Sequence, residues 1–203
     1  MQIELIAYTQ GNPKWATYQE FLPTDICAVA ASQCYNSTQS VATVRGCIRS
    51  GHESVIEHVS FTFLVEGISR ACLCQWTRHR LMSYSVKSQR YCKEDNFDYV
   101  EPPSIWEGTD RARDIFESEM EAARTTYEIL LKEGVKPEDA RMVLPNACCT
   151  NMVVTMNARS LRNFFKLRMS NKAQWEIREA AGRMFELVME VAPELFEDMK
   201  EKA

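Results

Sequence analysis

Several patterns that commonly mark a cofactor site are missing from this chain. It has no G-x-G-x-x-G and no G-x-x-x-x-G-K-[ST], so a nucleotide would have to be held without a glycine-rich phosphate loop. Its eight cysteines form no CxxC pair, which removes the usual zinc and thioredoxin patterns. Histidine is scarce: only His52, His58 and His79 occur. His52 and His58 are six apart and cannot share a helix face, so a hydrolytic metal site is poorly supported and no metal is expected. No G-x-S-x-G elbow exists for a serine nucleophile. No apolar run is long enough to span a bilayer, and the opening MQIELIAYTQ lacks a basic region followed by an apolar one. A cytoplasmic protein with reduced, mostly buried thiols is therefore expected, without a signal peptide or membrane partner.

Acid is the next absence, and it is local. Between Gly67 and Lys93 there is no Asp or Glu, while Arg70, Arg78, Arg80, Lys87, Arg90 and Lys93 all fall there. Between Ala140 and Trp175 there is again none, against Arg141, Arg159, Arg162, Lys166, Arg168 and Lys172. These segments carry 12 of the 24 Lys and Arg, so the rest of the chain holds 12 bases against 28 acids. A surface helix normally mixes signs to gain i,i+4 pairs. Segregated bases suit a local positive site that focuses its field on an anion. A net charge of -4 argues against a nucleic-acid surface, which is usually basic overall, and favours a small phosphorylated ligand. A nucleotide- or RNA-binding module without catalysis is the alternative.

The 203 residues suit one domain, and the periodicity predicts an α+β fold. Residues 2–8 alternate weakly as a strand. Thr24 to Tyr35 and Ser40 to Gly51 have helical character. Ser54 and Glu57 form a capping-box pattern for a short helix. In VSFTFLVEG, Phe61, Phe63 and Val65 share one face of a strand. A helix capped by Ser69 delivers Arg78, His79 and Arg80 at its end. Residues 81–92 have no clean period and read as a loop, and EPPSIW reads as a break. Thr109 to Lys132 is a long amphipathic helix stopped by Gly134. A short helix between two prolines and the strand TNMVVTM follow. Asn157 then caps a helix with Leu161, Phe164, Phe165 and Leu167 as core. The last helix runs on through Leu195 and Met199, bent at Pro193. His79, between two arginines, is expected to be neutral.

RHRLMSYSVKSQRY resembles the RHR-x7-S signature of the flavin-dependent thymidylate synthases, with Arg78, His79, Arg80 and Ser88 in register. HESVIEHVSFTF is similar to the segment before that signature, and ARMVLP, VVTMNARSLRNFF and LRMSNKAQWEIR to the C-terminal half. The similarity runs from about His52 to Arg178, interrupted by the helix 109–132.

The resemblance implies one domain over 1–203, with a small mostly antiparallel sheet packed against long helices. It implies a homotetramer whose sites form where subunits meet. The activity implied is reductive methylation of dUMP to dTMP, with FAD as cofactor, NADPH as reductant and methylenetetrahydrofolate as the folate carbon donor, without a cysteine nucleophile. Carried over by position, Ser54, Arg78, His79, Arg80, Asn157, Arg159 and Asn163 would contact FAD, with His52 near the flavin. Gln75, Arg78, Lys87, Ser88, Gln89, Arg90 and Arg141 would hold dUMP. Arg168 would face the uracil edge as the catalytic residue. The family usually has Glu or Gln where this chain has Val86, and valine offers no side-chain hydrogen bond.

Overall fold

A computed structural model describes residues 1–12, 14 and 21–202. The elements run β1 (Gln2–Tyr8), α1 (Pro23–Tyr35), α2 (Val41–Arg49), a 3-10 turn (Glu53–Ile56), β2 (Ser60–Ser69), α3 (Arg70–Trp76) and β3 (Ser83–Val86). Then come α4 (Pro103–Trp106), α5 (Asp110–Lys132), α6 (Pro137–Ala140), β4 (Cys149–Asn157), α7 (Ala158–Arg168) and α8 (Trp175–Val191). The class is α+β, as the periodicity predicts. Four strands form one sheet in the order β1-β2-β4-β3. Its register is antiparallel where the pairing can be followed. Thr62 meets Thr155 (3.0 Å) and Gly67 meets Asn151 (3.0 Å), so numbers rise on β2 as they fall on β4.

The described residues gather into two compact units. One comprises Met1–Gln2, Val65–Arg78 and Ser85–Met152; the other comprises Ile3–Leu64, His79–Tyr84 and Val153–Ala203. The chain passes from one to the other within β2 and β4, and again inside the Arg78-His79-Arg80 triplet.

The unit containing Ile3–Leu64 is built on aromatic packing. Phe61 and Phe63 point from β2 into a core with Phe165, Phe185 and Phe196, all under one-tenth exposed. Phe165 meets Phe185 and Phe196 edge to face at 5.3 and 5.7 Å, and Phe61 meets Phe196 at 5.7 Å. Each such ring, fully buried, contributes roughly 1.5–3 kcal/mol. On α8, Ile177, Ala181, Met184 and Val188 complete the apolar face. In the other unit, Trp76, Tyr127 and Cys72 are fully buried. The Tyr127 hydroxyl accepts a hydrogen bond from the Glu94 N–H (3.2 Å), which ties the loop after β3 to α5. Gly134, at φ +85°, closes α5 in the left-handed conformation that glycine adopts without strain.

Five local expectations need correction. Ser54 does not cap a helix: the segment is a 3-10 turn without a side-chain cap. Glu57, the other half of the expected box, bonds to Arg159 instead and cannot reach back. Residues 83–86 form β3, too short for alternation to stand out, with Tyr84 and Val86 half-buried between exposed serines. EPPSIW holds α4, started by proline at its first position. The last helix stops at Val191 rather than bending, because Ala192 precedes proline and is driven out of the helical region (φ -151°, ψ 55°). Leu167 is 52% exposed, on the solvent side of α7, while Leu161, Phe164 and Phe165 are core.

Candidate active site

The Arg78-His79-Arg80 triplet begins where α3 ends. The Ser69 hydroxyl accepts from the Cys72 N–H (3.0 Å) and starts the helix; the Thr77 hydroxyl donates back to the Leu73 carbonyl (3.1 Å) and closes it. The triplet then alternates: Arg78 and Arg80 are exposed, and His79 is buried. Neither arginine has a carboxylate partner among the described residues.

His79 lies against Phe164, edge to face at 5.0 Å. Its Nε2 accepts a hydrogen bond from the Arg168 Nε–H at 2.9 Å. A guanidinium only donates, so this contact requires the tautomer with its proton on Nδ1. The imidazole is pushed down to about 4, first by burial and then by the charge of Arg168. The expected neutral histidine is found, but its flanking arginines are not the cause. The Tyr84 hydroxyl donates to the His79 carbonyl (2.8 Å) and is pushed up to about 12 by burial, against the opposing pull of Arg168.

α7 connects two groups of expected flavin contacts. At its start the Asn157 side-chain oxygen accepts from the Ser160 N–H (2.9 Å), as the sequence predicts. Two residues along, Arg159 reaches the segment that carries His52 and Ser54: its Nη1 lies 2.5 Å from Glu57 and its Nε 3.9 Å from Glu53. The Glu57 hydrogen bond is the main reason the Arg159 guanidinium is held above its ordinary value. Asn163 is exposed one turn further, and Ser54 and His52 are exposed too. The His52 Nδ1 lies 2.7 Å from the Tyr35 hydroxyl, with the two rings stacked. At its far end, about 16 Å along the axis at 1.5 Å per residue, Arg168 meets His79.

The expected dUMP residues fall in the other unit, Arg78 included. Arg90 pairs with the Glu138 carboxylate (2.9 Å), and Arg141 donates to the Glu138 carbonyl (3.0 Å), so one residue gathers both arginines. The Ser88 hydroxyl accepts from the Arg90 N–H (3.2 Å), and the Gln89 amide reaches the Cys148 sulfur (3.8 Å). Lys87 is drawn to the buried Glu94 (2.8 Å); burial is the largest single influence and disfavours its charge, but the hydrogen bond and the negative charge of Glu94 act together against it and Lys87 is raised. Gln75 is half-buried on α3.

Glu53, Glu57, Glu94 and Glu138 were missed by sequence reasoning. The only hint is indirect: an acid-free segment that packs into a fold must draw countercharge from elsewhere in the chain. All eight cysteines are free thiols. Burial pushes Cys27 up to about 12 and Cys148 up to about 11, which keeps both protonated and unreactive at neutral pH.

A fold of this kind, with two arginine-lined clusters and a buried neutral histidine between exposed arginines, suits an enzyme for a phosphorylated ligand. Comparison with known proteins makes this specific. The family described as thymidylate synthase complementing protein matches residues 19–194. A flavin-dependent thymidylate synthase of Geobacter sulfurreducens is 46% identical over 190 residues, covering 87% of this chain and 82% of its own. One from Clostridium tetani is 42% identical over 224 residues, covering 97% and 85%. The crystal structure of Thymidylate Synthase X from Helicobacter pylori, solved with FAD and dUMP, superposes with a TM-score of 0.75 at 26% identity and 98% coverage of both chains. The chain belongs to the flavin-dependent thymidylate synthase family and is an enzyme of that family.

Proposed function

We propose that this protein binds FAD and dUMP and converts dUMP to dTMP, with methylenetetrahydrofolate as carbon donor and NADPH as reductant. The observation that carries this is the Arg168–His79 hydrogen bond (2.9 Å), which joins the signature triplet to α7. Family membership and the FAD and dUMP of the Helicobacter pylori structure support it.

The donor set fits a flavin dinucleotide. Arg78 and Arg80 present exposed guanidiniums without carboxylate partners among the described residues, suited to forked contacts with phosphate oxygens. Asn157 uses its side-chain oxygen as a helix cap, which leaves its amide N–H groups as donors, and Asn163 is exposed on the same helix. Ser54, His79 and Arg159 complete the set, with His52 nearby. Bound FAD, once reduced by NADPH, supplies the hydride.

The chain's own residues bind and polarise. Ser88, Gln89, Arg90 and Arg141, with Gln75, Arg78 and Lys87, hold dUMP. Arg90 and Arg141 converge on Glu138 and supply positive charge for the phosphate. Uracil C5 is a weak nucleophile until electron density is pushed toward it. Arg168, facing the uracil edge, stabilises the negative charge that the ring develops, as a preorganised donor does for an oxyanion. His79 holds Arg168 by its Nε–H and, being neutral, does not compete with that charge. No cysteine attacks the ring, in keeping with the raised thiols of Cys27 and Cys148. Val86 offers no side-chain hydrogen bond, so either backbone or water replaces it there, or the stretch after β3 is arranged differently.

The whole chain acts as one catalytic domain and assembles as a homotetramer in the cytoplasm, with sites formed where subunits meet. The decisive experiment is an assay for dTMP with FAD, NADPH, methylenetetrahydrofolate and dUMP, alongside the visible spectrum of the purified protein. A flavin spectrum and dUMP-dependent dTMP are expected; a colourless protein that makes no dTMP overturns the assignment.

A further inference from the structure

Arg162 is one of the buried charges of the protein. It sits mid-helix on α7, 8% exposed, between core residue Leu161 and exposed Asn163. Burying a guanidinium is costly unless every side of it is paired. Three segments supply the partners. Asp198 takes Nη1 and Nη2 in a forked pair (2.6 and 2.7 Å), the Leu195 carbonyl also accepts from Nη1 (2.6 Å), and Glu53 accepts from Nε (3.2 Å). An aliphatic residue would fill this position at lower desolvation cost, so stability alone does not explain the arginine.

Its consequence falls on Glu53, whose carboxylate stands between two arginines of one helix, Arg159 and Arg162. Oε1 goes to Arg162 at 3.2 Å; Oε2 stays 3.9 Å from Arg159, too long for a hydrogen bond. Among the described residues, Glu57 is therefore the carboxylate that neutralises Arg159 closely. Were Arg162 absent, Glu53 would turn to Arg159, which its carboxylate already faces at 3.9 Å, and Arg159 would carry two close carboxylates. An arginine so enclosed attracts a phosphate weakly. The same pair ties the 3-10 turn carrying Ser54 to α7. Beside it, Glu53, Arg162, Asn163, Lys166, Asp198 and Met199 line a cleft of about 290 Å³.

We infer that Arg162 is a positioning residue of the flavin site: by drawing Glu53 to itself it keeps Arg159 available to an anionic oxygen of the flavin dinucleotide. This rests on the assignment of Arg159 to FAD made above. Arg162 does not touch the flavin. Its effect passes through Glu53, so removing the Glu53 charge must undo the loss of Arg162.

The test is the dissociation constant for FAD, from quenching of flavin fluorescence on titrating flavin-stripped full-length protein. Arg162→Met is expected to weaken FAD binding about tenfold, as loss of a charge-assisted contact does. Adding Glu53→Gln should return it to within about threefold of wild type. Glu53→Gln alone should bind about twofold tighter than wild type. Wild-type affinity in Arg162→Met, or a loss that Glu53→Gln fails to restore, overturns the inference and leaves Arg162 a structural residue only. If Arg162→Met does not fold by far-UV circular dichroism, Glu53→Gln alone decides: tighter binding supports the inference, and unchanged or weaker binding overturns it. A wild-type protein that takes up no FAD overturns the site assignment, and this inference with it. A wild type that binds FAD beside an unaltered Arg162→Met overturns only the inference.

Discussion

Arg168, the last residue of α7, donates its Nε–H to the Nε2 of His79 across 2.9 Å. A cation and a neutral acceptor thus meet, although they lie 89 positions apart in the chain. The pair separates two roles that an arginine at a helix end would otherwise confuse. A solvated C-terminal charge would gain only the modest favour of the helix dipole, while an arginine held by a buried ring is oriented. Arg168→Ala should therefore retain FAD, seen in the visible spectrum, and lose dTMP formation by at least about a hundredfold, the scale of a lost preorganised donor. Full activity in that variant refutes the role.

The same pair predicts a pH dependence of stability. His79 is held at about 4 in the folded protein, against 6.5 when unperturbed. Between those values the unfolded chain binds a proton that the folded chain does not, so stability rises with pH there. The contribution is complete above about 6.5 and lost as pH falls toward 4. Urea unfolding at pH 7 and pH 5 should show wild type losing more stability on acidification than His79→Gln, whose side chain accepts from Arg168 but does not titrate. Equal losses would mean that His79 is not the group responsible.

Ser88 accepts a hydrogen bond from the Arg90 N–H (3.2 Å) within the loop expected to hold the nucleotide phosphate. Ser88→Ala should raise the KM for dUMP several-fold, as loss of one hydrogen bond to a charged group does, with kcat reduced but measurable. Complete loss of turnover with dUMP binding intact would instead make Ser88 a reacting group.

The proposed reaction uses no cysteine nucleophile. Single Cys→Ser or Cys→Ala replacements at all eight positions should each leave dTMP formation detectable. One folded variant that stops methyl transfer would bring back a thiol mechanism.

Phe61 is fully buried on β2 and meets Phe196 edge to face. Phe61→Ala should cost roughly 3–5 kcal/mol of unfolding free energy by chemical denaturation. A loss well below that range would mean that the cavity collapses.

Local chemistry alone determined much of this molecule. Alternation in β2, the caps Ser69 and Asn157, and the glycine stop at Gly134 are all legible because each depends on residues within a few positions of one another. The signature triplet and Ser88 are legible for the same reason, since their spacing lies within one short segment. What only the tertiary structure decided is which charges meet. Glu53, Glu57, Glu94, Glu138 and Asp198 each sit outside the acid-free segments and find Arg162, Arg159, Lys87, Arg90 and again Arg162. The long-range pairs among these follow from where the chain crosses itself, and ion pairs carry no periodicity along the sequence. The tautomer of His79 belongs with them, because its acceptor role is set by a guanidinium delivered from another helix.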